Sequence, residues 1–496
     1  MFKEIRVSAG PAKAALTVAG VFSDDLTLPA VLRSGAAGKA KSGEGIASAP
    51  GFKGEAGETF VLSSGNVLLG LGKKDELTAD SLRVIAAKLV KRLDKLNVRN
   101  IVLALPLSAK TGAVDEFTAG RSIGEGMGLA NWRVDEFAGK ATKLKPPAPP
   151  LTVASVSSTI RDGLTQGLAI AASTNYARRV AATPPNICNP QWVAAEAKRL
   201  ARDAGLRYRL INYEQAQRLG MGGLVNVGMG SANKPCLIIL EHKPPRIARA
   251  AKDIKLALVG KTVTYDTGGY SLKINNGMKG MKYDKCGGMA VLGAMHAAAT
   301  MKIPMHIMGI LTCAENMVSD HSYRPDDIIT MYNGVSVEVT NTDAEGRLVL
   351  GDALVYAQKD LGATHIIDLA TLTGGIVVAL GHFCAGLFCN DEPLRARMNK
   401  AADNSGEKLW LMPLWKDHKE FMRSQHADIL NSNPMRSAHP VQGAAFLAYF
   451  VDEKIPWAHV DIAGMANVES DKDLFVAGPT GYGVRLLISL MQDYAA

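Results

Sequence analysis

Residues 258–288 read LVGKTVTYDTGGYSLKINNGMKGMKYDKCGG, and this stretch decides the predicted fold. It opens as a buried strand and then places Lys261, Asp266, Lys273 and Asp284 in a glycine-rich segment. In open α/β sheets, ligands bind just past the carboxyl ends of the strands, where these charged residues lie. Glycines at such a place let the backbone approach a ligand closely. The stretch therefore predicts an α/β fold with a binding site at the end of this strand.

A second stretch repeats the arrangement. Residues 341–354, NTDAEGRLVLGDAL, follow a strand-like run at 335–340. If this segment is extended, Asp343, Glu345 and Arg347 project to one side, because alternate residues of a strand share a face. Two carboxylates at such a short distance shift each other's pKa unless cations lie between them. The pattern predicts that two acids and a guanidinium face one cavity.

Together the two stretches supply four carboxylates, a ligand type that suits hard or borderline divalent ions. Four carboxylates are enough for a pair of metal ions, and such a pair activates a bridging water for attack on a carbonyl. For any single acid, a salt bridge to Lys261, Lys273 or Arg347, or a helix cap, is the simpler interpretation. The combination of acids, lysines, glycines and strand ends favours one metal-binding site.

The larger part of the chain alternates strand-like and helical patterns. Strand-like runs lie at 237–241, 256–259, 306–311 and 365–369, and helical patterns at 290–301 and 349–359. This alternation is typical of an α/β domain with a mostly covered sheet.

The clearest domain boundary is the proline-rich segment 145–150, KPPAPP, because prolines stiffen the chain into an extended spacer. Before it, strands at 59–72 and 100–107 flank a helical pattern at 77–96, and the Gly- and Ser-rich residues 34–57 predict a long loop. The fold class is therefore α/β, with a smaller N-terminal domain joined by a linker and a long helix to a larger domain with a central mixed sheet. The expected boundaries are 1–150 for the first domain, 151–182 for the linker and helix, and 183–496 for the larger domain.

Composition narrows the class of protein. With 496 residues, 47% hydrophobic and 21% charged, the chain can bury substantial cores and is not disordered. Residues 1–150 carry a net charge of +6 and the rest only +3, out of a total of +9.

The six cysteines are sparse and form no CxxC pair, which favours a reduced, cytoplasmic setting. The N-terminus has no signal-peptide pattern, and the apolar region 366–389 is interrupted by polar residues, so we expect no membrane span.

The absence of several known motifs argues against other enzyme classes. The sequence contains neither GxGxxG after a strand nor GxxxxGK[ST], the nucleotide-binding patterns. It also lacks HExxH and the GxSxG elbow. A histidine-based zinc peptidase and a serine hydrolase of the α/β type are therefore not supported.

Residues 341–348, NTDAEGRL, resemble the signature octapeptide of the leucyl aminopeptidase (cytosol aminopeptidase) family of two-metal enzymes. Residues 260–284 resemble the other active-site stretch of that family, with its spacing intact. The resemblance covers roughly residues 160–496, whereas the first 150 match only in position and α/β character. Shorter similarities lie at 184–186, 314–316, 370–374, 457–464 and 480–485.

The resemblance implies a set of metal ligands. One metal would be held by Lys261, Asp266, Asp284 and Glu345, and the other by Asp266, Asp343 and Glu345, so that Asp266 and Glu345 bridge. A lysine ligand must be neutral, and two adjacent dications would lower its pKa strongly. The implied cofactors are two divalent ions per subunit, Mn²⁺ or Zn²⁺.

The resemblance also implies catalytic and substrate-binding residues. Lys273 would polarise the scissile carbonyl, and Arg347 would hold a bicarbonate ion that acts as the general base. The expected substrate-binding residues are Met281, Thr371, Leu372, Gly374 and Ala463.

The function that follows is a metal-dependent aminopeptidase that removes N-terminal residues, Leu-like ones preferentially, from peptides. The resemblance implies a homohexamer built as a dimer of trimers, and the composition a cytoplasmic protein. One alternative is a different amide hydrolase on the same architecture. Another is DNA binding by the basic N-terminal domain, which is not favoured because its basic residues are spread out rather than clustered.

Overall fold

The protein is described by a computed structural model that covers residues 1–11, 15–27, 29, 32, 49–107, 114–144, 146–155 and 157–496. Contacts within the chain divide it into two units. The first comprises Met1–Asn175 and Glu469–Gly478, and the second comprises Tyr176–Val468 and Pro479–Ala496. The loop predicted at 34–57 lies largely outside the described residues.

The first unit is built on a six-stranded sheet of order β1-β6-β5-β2-β4-β3. All neighbours are parallel except β3 and β4, whose antiparallel pairing makes a hairpin of the run predicted at 59–72. The strands are β1 (Ile5–Ser8), β2 (Leu16–Val21), β3 (Thr59–Val61), β4 (Val67–Gly70), β5 (Asn100–Ala104) and β6 (Leu151–Ser155). The helices are α1 (Ala79–Lys95), α2 (Glu116–Ala130) and the start of α3 (Ser158–Ala182). The predicted small α/β domain is confirmed.

Helices α2 and α3 pack with their backbones nearly touching. A Cβ atom at Gly120 would lie 2.2 Å from the carbonyl oxygen of Ile160, and one at Gly167 would lie 2.0 Å from that of Arg121. Both distances are shorter than any side chain tolerates, so this packing requires glycine at both positions.

The boundary of the first unit differs from the one expected. Residues 151–155 form β6 between β1 and β5, and are not a linker. The apolar and β-branched sequence LTVAS completes the sheet directly after the prolines, because it fits a pleated, buried surface. The division between the units falls at Asn175, within α3, which was expected to connect two domains as a whole.

The second unit is built on an eight-stranded mixed sheet of order β15-β14-β17-β13-β9-β10-β8-β7, as predicted. Its central strands β17, β13, β9 and β10 run parallel, and β8, β7 and β14 pair antiparallel to their neighbours. The strands are β7 (Arg207–Ile211), β8 (Cys236–His242), β9 (Lys255–Asp266), β10 (His306–Asn316), β13 (His365–Ala370), β14 (Ala385–Cys389), β15 (Leu409–Leu411) and β17 (Trp457–Asp461). Smaller sheets contain β11 (Ile328–Thr330), β12 (Ser336–Glu338), β16 (Ile429–Leu430), β18 (Asn467–Val468) and β19 (Gly478–Pro479).

Eleven helices of the described residues belong wholly or partly to this unit. They are the end of α3, α4 (Pro190–Ala204), α5 (Tyr213–Leu219), α6 (Gly222–Gly228), α7 (Cys286–Thr300), α8 (Gly346–Lys359), α9 (Gly374–Leu380), α10 (Glu392–Ser405), α11 (Lys416–Glu420), α12 (His439–Leu447) and the C-terminal α13 (Val484–Ala495). None of the helices in the described ranges is long and apolar enough to cross a membrane.

Helix α7 approaches the sheet through its first residues. A Cβ atom on Gly287 would lie 2.1 Å from the carbonyl oxygen of Leu369 in β13, and one on Gly260 in β9 would lie 2.4 Å from the Cα of Gly288. The helix is apolar and buried over most of its length, as expected for a helix in the middle of a core. Its close docking fixes the position of Asp284, two residues before it begins.

Candidate functional site

Four neighbouring strands of the second sheet end at one edge. β17, β13, β9 and β10 lie side by side and parallel, so their carboxyl ends coincide. Asp266, the last residue of β9, pairs with Asn316, the last residue of β10. Ala370 at the end of β13 pairs in the same way with Asp461 at the end of β17. This is the edge at which the sequence predicted a ligand site.

The predicted metal ligands meet at this edge. Asp266, Asp343 and Glu345 each place one carboxylate oxygen within 4.8 Å of the others. Lys261 joins them to Asp284, because its Nζ lies 2.7 Å from Asp284 Oδ1 and 2.8 Å from Glu345 Oε1. The structure therefore brings all five residues together, although their sequence positions span 85 residues from 261 to 345.

The charges of this cluster do not balance. Lys273 Nζ lies 2.9 Å from Asp266 Oδ2 and 2.5 Å from Asp343 Oδ1, so the salt bridges considered as an alternative do form. Two ammonium groups nevertheless face four carboxylates, and the buried Oδ2 of Asp284 has no hydrogen-bond partner among the described residues. Burial and the neighbouring acids raise the pKa of Asp343 to about 7 and hold the pKa of Asp284 well above its usual range.

Excess negative charge in a buried cluster is stabilised when cations bind between the carboxylates. The chemistry of these residues therefore fits divalent metal ions. Carboxylate oxygens are in excess, one of them has no hydrogen-bond partner, and the two lysines balance only part of the negative charge. This observation is independent of any resemblance.

The segment that carries Asp343 and Glu345 is not extended, contrary to the sequence expectation. The side-chain oxygen of Asn341 accepts a hydrogen bond from the backbone N–H of Asp343 (2.8 Å), which makes a turn. Glu345 already has helical backbone angles, and α8 begins at the next residue. Asp343 and Glu345 converge because of this turn, whereas Arg347 lies in the first turn of the helix.

Two glycine positions shape the cluster. Gly268 has a φ of +85°, and a Cβ atom there would lie 2.9 Å from Asp343 Oδ1. At Gly346 a Cβ atom would lie 2.5–2.8 Å from the end of the Lys261 side chain. Any side chain at either position would occupy space that the site residues need.

Asn316 supports the cluster, and its role was not foreseen. Its Nδ2 donates to Asp266 Oδ1 (2.8 Å) and to the backbone oxygen of Thr342 (2.9 Å), so it joins the two acidic stretches. The hydroxyl of Tyr323 donates to the same oxygen (2.7 Å). The only sequence signal was its membership in the similar segment 314–316, because an isolated asparagine at a strand end resembles a turn residue.

Comparison with known families and structures agrees with this geometry. Residues 175–488 match the catalytic domain of the cytosol aminopeptidase family, and residues 20–141 match the N-terminal domain of the same family. The chain belongs to the cytosol aminopeptidase family. It is therefore a metal-dependent aminopeptidase, a hydrolase that acts on peptides at their N-termini, and the suspected resemblance is confirmed.

Curated relatives and solved structures resemble the chain over nearly its full length. A protein described as a probable cytosol aminopeptidase from Solibacter usitatus (strain Ellin6076) is 39% identical over 433 residues, 87% of either chain. One with the same description from Aquifex aeolicus (strain VF5) is 37% identical over 96% of this chain and 95% of its own. The structure of the bottromycin maturation enzyme BotP in complex with Mn has a TM-score of 0.85 and 30% identity, covering 97% of this chain and 100% of that one.

In this member of the cytosol aminopeptidase family, the loop after β13 is tied to the acidic cluster. The hydroxyl of Thr371 donates to Asp284 Oδ1 (2.8 Å), and Lys261 Nζ donates to the backbone oxygen of Thr371 (2.8 Å). Thr371 was predicted to bind substrate, and the structure places it at the cluster. Gly374, three residues on, begins α9 and has open space where a Cβ would be.

Asp461 holds two predicted substrate-binding segments together. Its Oδ1 accepts hydrogen bonds from the backbone N–H groups of Leu372 (3.0 Å) and Ala463 (3.2 Å), and its Oδ2 accepts one from the Thr373 hydroxyl (2.6 Å). The carboxylate is fully buried, and burial raises its pKa. Asp461 lies in the similar segment 457–464, but the sequence predicted no role for it.

Arg347 and Met281 occupy less direct positions. The buried Nη1 of Arg347 donates to the backbone oxygen of Asn431 (2.8 Å), and burial lowers its pKa to about 10. The negative charges of Glu345 and Asp461 raise the pKa of Arg347, since both carboxylates lie near its guanidinium. Met281 opens the 3₁₀ turn Met281–Tyr283 directly before Asp284.

Proposed function

We propose that this chain releases N-terminal residues, Leu-like ones preferentially, from peptides with the help of two divalent metal ions. The observation that carries the proposal is the buried surplus of carboxylates at the carboxyl edge of the sheet. One ion would be held by Lys261, Asp266, Asp284 and Glu345, and the other by Asp266, Asp343 and Glu345. Mn²⁺ or Zn²⁺ suits such a mixed oxygen and nitrogen ligand set.

Bound ions of this kind lower the pKa of a shared water and polarise the carbonyl that the water attacks. The chain's own residues would do the rest. Lys273, which lies between Asp266 and Asp343, would donate to the carbonyl oxygen as negative charge develops on it. Arg347 would bind a bicarbonate ion that accepts the proton of the water, which its buried guanidinium and the nearby cluster support.

The substrate would be fixed by its free amine, which places the first peptide bond at the cluster and makes the enzyme an exopeptidase. Met281 would line the pocket for the first side chain, with Ala463 near it. The loop that carries Thr371, Leu372 and Gly374 would run along the substrate backbone. The hydrogen bonds of Asp461 support this assignment, because they hold Leu372 and Ala463 in fixed relation. Asp461 is then a positioning residue.

Metal content measured together with cleavage rates on a panel of dipeptides tests the proposal. We expect close to two ions per chain and the highest kcat/KM for Leu-like N-termini, with Mn²⁺ or Zn²⁺ added. Acetylating the N-terminus of the best substrate should abolish cleavage, because the amine is then lost as a ligand. Equal cleavage of the acetylated peptide, or turnover in a metal-free sample, would overturn the proposal.

We further propose a cytoplasmic homohexamer arranged as a dimer of trimers. Large apolar side chains exposed on the second unit, such as Trp410, Trp415 and Val378, support self-association, because such groups are usually covered in an assembly. Light scattering of the purified protein measures the mass. A monomer at micromolar concentration would contradict the assembly without affecting the assignment of the site.

A further inference from the structure

A polar cavity of about 610 Å³ lies beside the acidic cluster. Lys273 and Asp343 form part of its wall, so it opens directly onto the proposed reaction centre. Much of the remaining wall carries hydrogen-bonding groups, from Ser271, Thr340, Asn341, Ser432 and Asn433. A wall of this kind suits the main chain of a peptide better than a large apolar side chain.

Arg436 lines the same cavity and has no role in the chemistry described above. Its side chain is exposed, and within the described ranges it forms neither an ion pair nor a side-chain hydrogen bond. Lys273, the other cation of the wall, is already held by Asp266 and Asp343. The guanidinium of Arg436 is therefore the positive charge that the cavity offers to a ligand.

The turn that carries Arg436 is anchored. The backbone N–H of Arg436 donates to the carbonyl oxygen of Asn433 (3.2 Å), and that of Met435 donates to Asn433 Oδ1 (3.0 Å). Asn433 itself donates through its backbone N–H to Gln442 Oε1 (2.9 Å) and through Nδ2 to the oxygen of Phe421 (2.8 Å). Arg436 has a φ of +56°, an unfavourable value for this residue type, which such anchoring sustains and which often accompanies a functional position.

The position of the cavity beside the acidic cluster favours a short peptide. Roughly three extended residues span about 10 Å, at about 3.4 Å each. In a di- or tripeptide bound by its amine at the acidic cluster, the C-terminal carboxylate falls within this distance. Arginine is the side chain best suited to a carboxylate, because its planar donors pair with both oxygens.

We propose that Arg436 binds the C-terminal carboxylate of short peptides, so that the enzyme selects di- and tripeptides with a free carboxyl end. The inference rests on the proposed function, since it takes the amine of the peptide to be bound at the cluster. It adds the recognition of the opposite end of the substrate. Longer peptides place their carboxylate beyond the cavity and lose this contact.

The test compares Leu-Gly and Leu-Gly-Gly with their C-terminal amides, using the metal-loaded enzyme and its R436Q and R436K variants. We expect the wild type to favour the free acids in kcat/KM by about tenfold, and R436Q to lower this ratio towards one. R436K should retain part of the ratio because it keeps the charge but not the planar fork. R423Q is the matched control, because Arg423 is an exposed arginine of the same unit that pairs with Glu420 and does not line the cavity.

A binding measurement separates this inference from the proposed function. A Leu-Gly analogue with a reduced peptide bond, as acid and as amide, is titrated into the same proteins by calorimetry. A preference for the acid that disappears in R436Q supports the inference even if no peptide is cleaved, in which case the proposed function alone fails. Equal affinity for acid and amide in the wild type, or a preference that R436Q leaves intact, would overturn the inference whatever the turnover.

Discussion

Each of the two units buries a cluster of charged side chains, and the two clusters differ in their balance. In the first unit, the fully buried Glu125 accepts from Arg83 Nε (2.7 Å) and from Arg121 Nε (2.9 Å), and Asp80 pairs with Arg83 Nη1 (2.7 Å). Among the described contacts of this network, two arginines thus meet two acids. In the second unit, two lysines meet four acids.

The difference teaches how to distinguish a structural ion-pair network from a metal site. A balanced network satisfies its own charges and requires nothing from solution, although burying it costs desolvation. An unbalanced one is stable only when further cations bind or some acids are protonated. Both clusters contain a fully or nearly fully buried acid, Glu125 in the first and Glu345 in the second, although Asp80 at the edge of the first is half exposed. The net charge is therefore the property that separates them.

The largest effect should follow from removing charge from the unbalanced cluster. Loss of a group that only supports a metal ligand costs up to roughly 100-fold in activity. Asp343→Asn removes a proposed ligand itself, so it should lower kcat/KM on a leucine anilide by well over this factor. The fold should persist, because the substitution relieves repulsion between buried acids. Asp320→Asn, at an exposed acid of the same unit, is the control and should behave as wild type. Substantial turnover in Asp343→Asn would sink the site assignment.

Replacing a carboxylate by an amide in the balanced cluster should lower the free energy of unfolding rather than the activity. Glu125→Gln leaves the buried Arg83 and the partly buried Arg121 without their shared anion, and breaking a buried pair in this way costs about 3–5 kcal/mol. Urea denaturation measures the free energy of unfolding, and Glu136→Gln, at an exposed position, provides the comparison. If Glu125→Gln unfolds at the same urea concentration as Glu136→Gln, the cluster does not stabilise the first unit as described.

A smaller effect is expected at a residue that supports the unbalanced cluster without belonging to it. Asn316→Ala removes the hydrogen bond to Asp266 Oδ1, and loss of such an outer partner weakens metal affinity by about 10–100-fold. Titration with Mn²⁺ measures this directly, and sufficient Mn²⁺ should restore most of the activity. The control is Asn333→Ala, at an exposed asparagine whose side chain bonds to the backbone of Tyr449 and Val335, and it should leave the titration unchanged. Equal Mn²⁺ affinity in the two variants would refute the supporting role of Asn316.

The last effect concerns pH, and it acts through the substrate rather than through either cluster. The substrate amine must be neutral to act as a ligand, and a peptide α-amino group has a pKa of about 7.7–8.0. The neutral fraction of the amine rises with pH through this range, so kcat/KM should increase about tenfold or more from pH 6 to pH 8. The measurement is a pH–rate profile with a dipeptide at fixed metal concentration. A flat rate from pH 6 to pH 9 would contradict the requirement for a neutral amine.

Sequence reasoning located the site because its ligands carry charges that stand out after apolar strands. Asp266 and Glu345 stood out in this way, and only the resemblance implied which charged residues are ligands rather than salt-bridge partners. The local geometry around Asp343 was not predictable from the alternation rule, because the side chain of Asn341 makes a turn there. That hydrogen bond competes with an extended backbone, and residue spacing alone does not reveal which conformation prevails.

The supporting residues were harder to recognise for a different reason. Asn316 and Asp461 act through partners that only the register of the parallel strands brings near: Asn316 lies opposite Asp266, and Asp461 opposite Ala370. Register follows from tertiary packing and is not encoded in a short motif. The strand at Leu151–Ser155 was missed likewise, since the preceding prolines indicated a linker while its pairing with β1 and β5 depends on distant residues.

The edge shared by four parallel strands has a consequence for how the enzyme is made in the cell. Lys261 and Glu345 belong to one cluster, yet the ribosome adds the second long after the first. A nascent chain that ends before Asp343 lacks half of the carboxylates, and one that ends before β17 lacks the carboxylate that fixes the loop after β13. We therefore expect the polypeptide to leave the ribosome without metal and to acquire its ions only after synthesis is complete.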